Sequence, residues 1–303
     1  MNVILKGINY IRNQIKKSFF IAFICSFNFA NAKIHEFETT HLKSLAGTGV
    51  AGIFMEEAAF LNPASLSYFN NGVIFFQRDS LTLKNNQGAI TGEPKSTAIV
   101  FADGNPSVSG SLSYLTQEEG QHKRKRWGLS LSGPVNSQSS LGISTRKTKD
   151  ENKTSGSILE YYQTVIGVTH AVDSQTSFGF VLYDAFRSKA KDTRAMIGAQ
   201  HLLASVFTVN ADLSADYRAE EISESLMYRG GMQFKVLDDF FIRFGAFNDK
   251  SRKEKGNGFG IGWVQPRLSF EFAIKNTSQK ADALLGTTDS KIKETSLSGS
   301  IRF

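Results

Sequence analysis

The sequence predicts an all-β chain: a closed, antiparallel, up-and-down transmembrane β-barrel of about 14 strands, with an N-terminal plug segment. Three observations predict it. Apolar and polar residues alternate with period two from Gly72 onward, the connections between strands fall into two classes that alternate along the chain, and the chain ends on an aromatic residue in phase with its last strand. Alternation at 180° per residue is the strand signal. An even strand number, with tight turns at one end and longer loops at the other, is the pattern of an outer-membrane barrel.

Residues 1–17 carry Lys6, Arg12, Lys16 and Lys17 and no acid, and they lead into SFFIAFICSFNFANA. A basic start, a short apolar core and Ala30-Asn31-Ala32 describe a secretory signal peptide over residues 1–32, cut between Ala32 and Lys33. The apolar run is too short to cross ~30 Å of hydrocarbon as a helix. Ile24 is bulky where a lipoprotein site before Cys25 wants a small residue. The formal net charge of +7 falls to +3 when those four cations leave, so the basic balance is weak evidence for nucleic acid. The single cysteine leaves with the signal, and stability must come from the fold rather than from disulfides.

Residues 33–71 depart from the strand pattern and form the expected plug. Gly47, Gly49, Ala51 and Gly52 are small, IFMEEAAF has the composition of a helical turn or two, and Asn62-Pro63 ends it. Small residues let a backbone thread a crowded lumen. A phosphate-loop reading of Gly-x-Gly fails, because no Lys-Ser/Thr follows and no parallel strand precedes.

Residues 72–303 are the expected barrel. In SVFTVNADLSADY, Phe207, Val209, Ala211, Leu213, Ala215 and Tyr217 share one face, and Thr208, Asn210, Asp212, Ser214 and Asp216 the other. RLSFEFAI, SVSGSLSY and ESLMYRGGMQFKV alternate likewise. The 25 phenylalanines and 5 prolines suit long paired strands. Short connections such as GPVNSQ, DSQ, LDD and QP alternate with longer charged ones such as TQEEGQHKRK, KTKDENKTSG and NDKSRKEKG. Seven long and six short connections give fourteen strands. A soluble β-sandwich also alternates. The two-class connections, the strand count and the closing segment SLSGSIRF decide for the barrel. Leu297, Ile301 and Phe303 share a face, as a barrel-assembly signal on a strand that closes against the first.

The run of small residues, the short acidic-apolar helix and the Asn-Pro-Ala that precedes Leu66 resemble the N-terminal hatch of the FadL family of outer-membrane transporters and of the related PorV-type barrels. The matching residues are Gly47, Gly49, Ala51, Gly52, Ala58, Asn62, Pro63, Ala64 and Leu66. The resemblance implies a plugged 14-stranded barrel in the outer membrane of a Gram-negative bacterium, passing small hydrophobic or amphipathic molecules without an energy source. The alternative it implies is a PorV-like scaffold for another envelope or secreted protein. A general porin fits less well, since the plug obstructs the lumen. Gly47, Gly49, Phe54, Phe60, Leu61, Asn62 and Pro63 are the candidate plug and ligand contacts. Outer-membrane lipid and lipopolysaccharide, the barrel-insertion machinery and a hydrophobic small molecule are the expected partners. Charged loops of about 8–16 residues depart from the long apolar capture loops of the fatty-acid transporters; ADALLGTT is the one loop stretch with apolar content.

No enzymatic chemistry, cofactor or metal is expected. The five histidines, His35, His41, His122, His170 and His201, show no metal spacing and no nucleophile beside them in sequence. Arg146, Asp212, Asp216, Arg229, Lys235, Arg243, Arg267, Glu271, Glu294 and Arg302 fall in the polar phase. Their mixed signs favour a structural network holding the plug over a selectivity lining. HKRKR at 122–126 reads as a loop facing anionic lipid.

Overall fold

A strand that alternates polar and apolar faces leaves both edges unpaired unless the sheet closes on itself. The computed structural model describes residues 34–85, 88–90, 95–105, 107–188, 192–281 and 289–303, and in it the sheet closes. The fourteen strands are β1 (Gly72–Asn85), β2 (Lys95–Asp103), β3 (Ser109–Glu119), β4 (His122–Pro134), β5 (Ser139–Asn152), β6 (Ile158–Ala171) and β7 (Thr176–Tyr183), followed by β8 (Arg194–Leu203), β9 (Phe207–Ala215), β10 (Met227–Lys235), β11 (Phe240–Asp249), β12 (Glu254–Val264), β13 (Leu268–Gln279) and β14 (Ser290–Arg302). Each pairs antiparallel with its neighbours in sequence. Three further residues, Gly88–Ile90, pair antiparallel with Leu83–Asn85 at the end of β1.

Closure runs along the whole of the last strand. β14 pairs with β1 from Val73↔Arg302 to Asn85↔Ser290. Gly72 and Phe303 exchange both backbone hydrogen bonds, N–H to O at 2.8 and 3.0 Å. The outward phase is apolar: Phe101, Leu129, Ile143, Phe270, Leu297 and Ile301 are exposed, while Ser296, Ser298 and Ser300 are buried inside. Such a continuous apolar girdle on a closed barrel faces hydrocarbon.

The turn end carries residues 104–105 and 107–108, 135–138, 172–175, 204–206, 236–239 and 265–267, as the alternation predicts. The other end, here the loop end, corrects the expectation of uniformly long loops. β3 and β4 are joined by Gly120-Gln121 alone, β5 and β6 by residues 153–157, and β11 and β12 by residues 250–253. Most of the charged residues read into those loops belong to strands instead, while Lys153, Lys250, Arg252 and Lys253 remain in the connections. Arg124 and Arg126 are therefore not loop residues facing lipid. They point into the lumen at 2% and 3% exposure, while Lys123 and Lys125 take the outward phase. Asp216 lies past the end of β9, and Arg267 sits exposed in a turn. The Ala32–Lys33 cut and residues 282–288 of the apolar loop lie outside the described residues.

Candidate functional site

Residues 34–71 run through the lumen in short pieces. Helix α1 (Thr40–Ser44) starts at Thr39, whose hydroxyl accepts from the Leu42 N–H at 3.2 Å. The sequence signal for this helix is slight: Thr39 as N-cap, Leu42 and Leu45 three residues apart, and Gly47 just beyond its end. Ala46 and Gly47 then take left-handed backbone, φ 54° and 86°. Helix α2 (Met55–Ala58) falls within the expected helical stretch. Pro63 opens a 3₁₀ turn to Tyr68, capped by the Asn62 side chain. Proline suits that first position because its missing N–H has no partner there anyway.

The barrel wall is shaped to this backbone. A Cβ added at Gly142 or Gly167 would meet Pro63 and its neighbours; at Gly179, the Val50 carbonyl; at Gly245, the Leu45 backbone; at Gly258, the Lys43 carbonyl. Several of these glycines are cross-strand partners: Gly142↔Gly167, Gly179↔Gly198, Gly231↔Gly245 and Gly245↔Gly258. Together they make a seat of bare backbone on which the luminal segment lies. Glycine weakens a strand, and close approach of another backbone is the usual reason to keep it there.

Ion pairs and hydrogen bonds fix the seat. Glu36 contacts Arg126, lies 3.8 Å from Arg124 and 4.0 Å from Arg146, and accepts from Tyr183 Oη at 2.6 Å. Burial pushes its carboxyl up, but Arg126 and Arg124 outweigh that and hold it well below the usual carboxylate range. Glu38 pairs with Lys275 at 2.6 Å, and Lys43 pairs with Asp79 at 2.8 Å and Glu294 at 3.4 Å. Asp212 accepts from the Gly49 N–H at 2.8 Å and from the Val50 N–H at 3.2 Å. The Gly-x-Gly run thus cradles an anion after all, and the anion is a carboxylate of the wall. Asn62 donates to the Val50 carbonyl at 2.8 Å and to Thr169 Oγ1 at 3.0 Å.

Among the described residues, two cavities flank the segment. The loop-end cavity, about 90 Å³, has an apolar floor of Phe37, Leu42, Phe60 and Leu61 from the luminal segment, joined by Met196, Met227, Phe247 and Ile292 from the wall. Its rim is charged: His35, Glu38, Arg229, Asp249, Arg252, Glu254 and Lys275. The turn-end cavity, about 80 Å³, is lined by His41, Phe54, Glu56, Glu57, Arg243, Glu271 and Arg302 among others. Here Glu57 accepts from Thr39 Oγ1 at 2.9 Å. Burial, then Glu56 and Glu271, push its carboxyl up to about 8. Burial, then Arg243, push the His41 imidazole down.

The seven candidate residues therefore separate. Phe60 and Leu61 line the loop-end cavity, and Phe54 lines the turn-end one, packed on His41 with ring centroids 4.1 Å apart. Gly47, Gly49, Asn62 and Pro63 meet the wall, with the Gly47 carbonyl accepting from Arg229 Nη1 at 2.7 Å. The structure also places Ser139 Oγ 2.9 Å from His170 Nδ1 and Thr176 Oγ1 3.0 Å from His201 Nδ1, which the sequence could not show. These are cross-strand rungs, and neither ring bonds a carboxylate among the described residues.

No family model and no curated protein matches the chain. Solved structures do. The CymD monoaromatic hydrocarbon channel matches with TM-score 0.66 at 12% identity, over 86% of this chain and 96% of its own. The Ralstonia pickettii toluene transporter TbuX matches with TM-score 0.65 at 11% identity, over 88% and 99%. A Pseudomonas aeruginosa FadL homologue matches with TM-score 0.58 at 14% identity, over 87% and 98%. The chain has a closed transmembrane barrel fold. That fold is the one shared by the FadL-type channels.

Proposed function

We propose that the protein is an outer-membrane channel for passive passage of small hydrophobic or amphipathic molecules, with residues 33–71 as its plug. On this reading the signal is cut after Ala32 and the barrel-insertion machinery reads the Leu297, Ile301 and Phe303 face. The turn end then lies in the periplasm, and the barrel takes no cofactor and carries out no catalysis. The observation that carries the reading is the loop-end cavity. Its floor is made by Phe60 and Leu61 of the luminal segment, so a molecule arriving from outside meets apolar side chains on the element that blocks its way. The fold is one on which monoaromatic and toluene channels are built.

At about 90 Å³ the cavity is smaller than the ~150 Å³ that holds benzene in an engineered protein core. Passage therefore needs Phe60, Leu61 or the segment itself to move. Native mass spectrometry of the detergent-purified barrel with a panel of aromatics and fatty acids tests this. The expected result is one bound ligand per barrel, lost in Phe60→Ser/Leu61→Ser. A barrel that binds none of the panel and arrives with a protein attached would replace the channel with the scaffold.

A further inference from the structure

The outer surface carries a feature that neither the plug nor the pore uses. On β3 to β6, at the loop end, the outward phase changes within two rungs from apolar to aromatic to basic. Leu112 and Leu129 stand on one rung; Tyr114, Trp127, Lys147 and Tyr162 stand on the next; Lys125 and Lys149 stand on the one after. Tyr114 and Trp127 pack with ring centroids 4.6 Å apart, and Lys147 Nζ lies 5.9 Å over the Tyr162 ring.

Lys125 and Lys149 are direct cross-strand partners. Like charges set opposite each other destabilise a sheet pair. Glu160 lies 3.8 Å from Lys147 and 3.9 Å from Lys149, one carboxylate shared by two ammoniums. Lys125 has no ion pair among the described residues. Lys125 and Lys149 therefore stand side by side one rung above the aromatic shelf, Lys147 stands within that shelf over Tyr162, and the three ammoniums have one carboxylate between them, with an apolar wall below. An aromatic belt marks the level of the lipid headgroups. A partner for this surface needs acyl chains against Leu112 and Leu129, a ring or sugar against Trp127, and phosphate at the lysines.

We propose that the loop-end face of β3 to β6 binds the phosphorylated headgroup of an acylated outer-leaflet lipid, with Lys125, Lys147 and Lys149 on phosphate and Trp127 beneath. This rests on the outer-membrane placement proposed above and is independent of what the lumen carries. A second like-charged pair, Lys84↔Lys291, stands on β1 and β14, but its neighbouring rung is Thr82↔Lys293 and no aromatic lies below. It serves as the control for charge without a shelf.

The test is native mass spectrometry of the folded barrel titrated with a bisphosphorylated, acylated glucosamine lipid. Each exposed lysine near an anionic lipid surface contributes enough that losing three weakens binding on the order of a hundredfold. K125Q/K147Q/K149Q is expected to show that loss, and K84Q/K291Q/K293Q to bind like the parent. W127A is expected to weaken the lipid without changing net charge. Equal loss in both triple variants means general charge attraction and overturns the site. Equal binding of the dephosphorylated lipid, or displacement by millimolar inorganic phosphate, also overturns it, the latter in favour of a free-anion site. Migration of each variant as a folded barrel on an unheated gel separates lost binding from lost structure. Aromatics that still bind at Phe60 and Leu61 leave the channel reading standing when the lipid site fails.

Discussion

Glu36 and Glu57 lie on one luminal segment, and their surroundings push them in opposite directions. Glu36, at the loop-end side, faces Arg124, Arg126 and Arg146 and is held ionised. Glu57, at the turn-end side, has the hydroxyl of Thr39 as its partner and the carboxylates of Glu56 and Glu271 as its neighbours. The first is a fixed electrostatic anchor. The second is a group whose proton is kept by burial and by like charge. On the proposed channel reading, a segment that stays in place and yet gives way divides those tasks between its two sides.

The largest expected effect comes from breaking the anchor. Glu36→Gln leaves Arg124 and Arg126 in the lumen wall without their shared carboxylate. Removing one partner of a buried pair costs about 3–5 kcal/mol. Glu36 keeps some exposure, so about 3 kcal/mol is expected, read as a lower midpoint in denaturant and as new protease cleavage within residues 34–71. Unchanged protection of the segment would mean that the arginines are held by the wall alone, through Asp150 and Thr148.

A smaller effect should come from the seat. Gly245→Val places side-chain atoms where the Leu45 backbone lies, and Gly245 is bonded between Gly231 and Gly258 in a wall that cannot step aside. Overpacking of this kind costs about 1–3 kcal/mol. The expected outcome is a folded barrel with a displaced segment and higher single-channel conductance in planar bilayers. Unaltered conductance would show that the segment does not limit the pore, and so would count against the plug itself.

The barrel was legible in the sequence because lipid on one side and polar contacts on the other impose a strict two-residue period. Where both faces are charged, the period vanishes: Lys123, Arg124, Lys125 and Arg126 alternate out and in, yet all four read as one basic run. The same masking made strand ends look like long loops. Phe60 and Leu61 could be picked out as apolar residues without a strand phase. The seat could not, because glycines scattered from Gly142 to Gly258 acquire a common purpose only when closure brings them to one level. Asp212 is the clearest case. Its alternation placed it in the lumen, but its partners Gly49 and Val50 are more than 160 residues away.

The smallest expected effect concerns protons. Between the ordinary carboxyl value near 4.5 and about 8, the seated segment keeps a proton on Glu57 that a released segment gives up to water. Raising pH across that window therefore favours release. His35 acts in the same direction: burial opposes its charge, but Glu119 outweighs burial and holds the imidazole charged up to about 9. Its stabilising contribution is full below 6.5 and is lost as pH rises toward 9. His41 works the other way, since its lowered value makes stability rise with pH, but only below 6.5. The window from 6.5 to 8 thus isolates Glu57 and His35. Protease protection of residues 34–71 should weaken across it by about 1.5 kcal/mol for each of the two groups, because a tenfold change in a proton equilibrium is worth about 1.4 kcal/mol and the window spans little more than one such change for each. Glu57→Gln should remove about half of that slope and His35→Gln the other half. A slope that survives both substitutions would place the titrating group elsewhere and leave Glu57 as a second fixed contact rather than the releasable one.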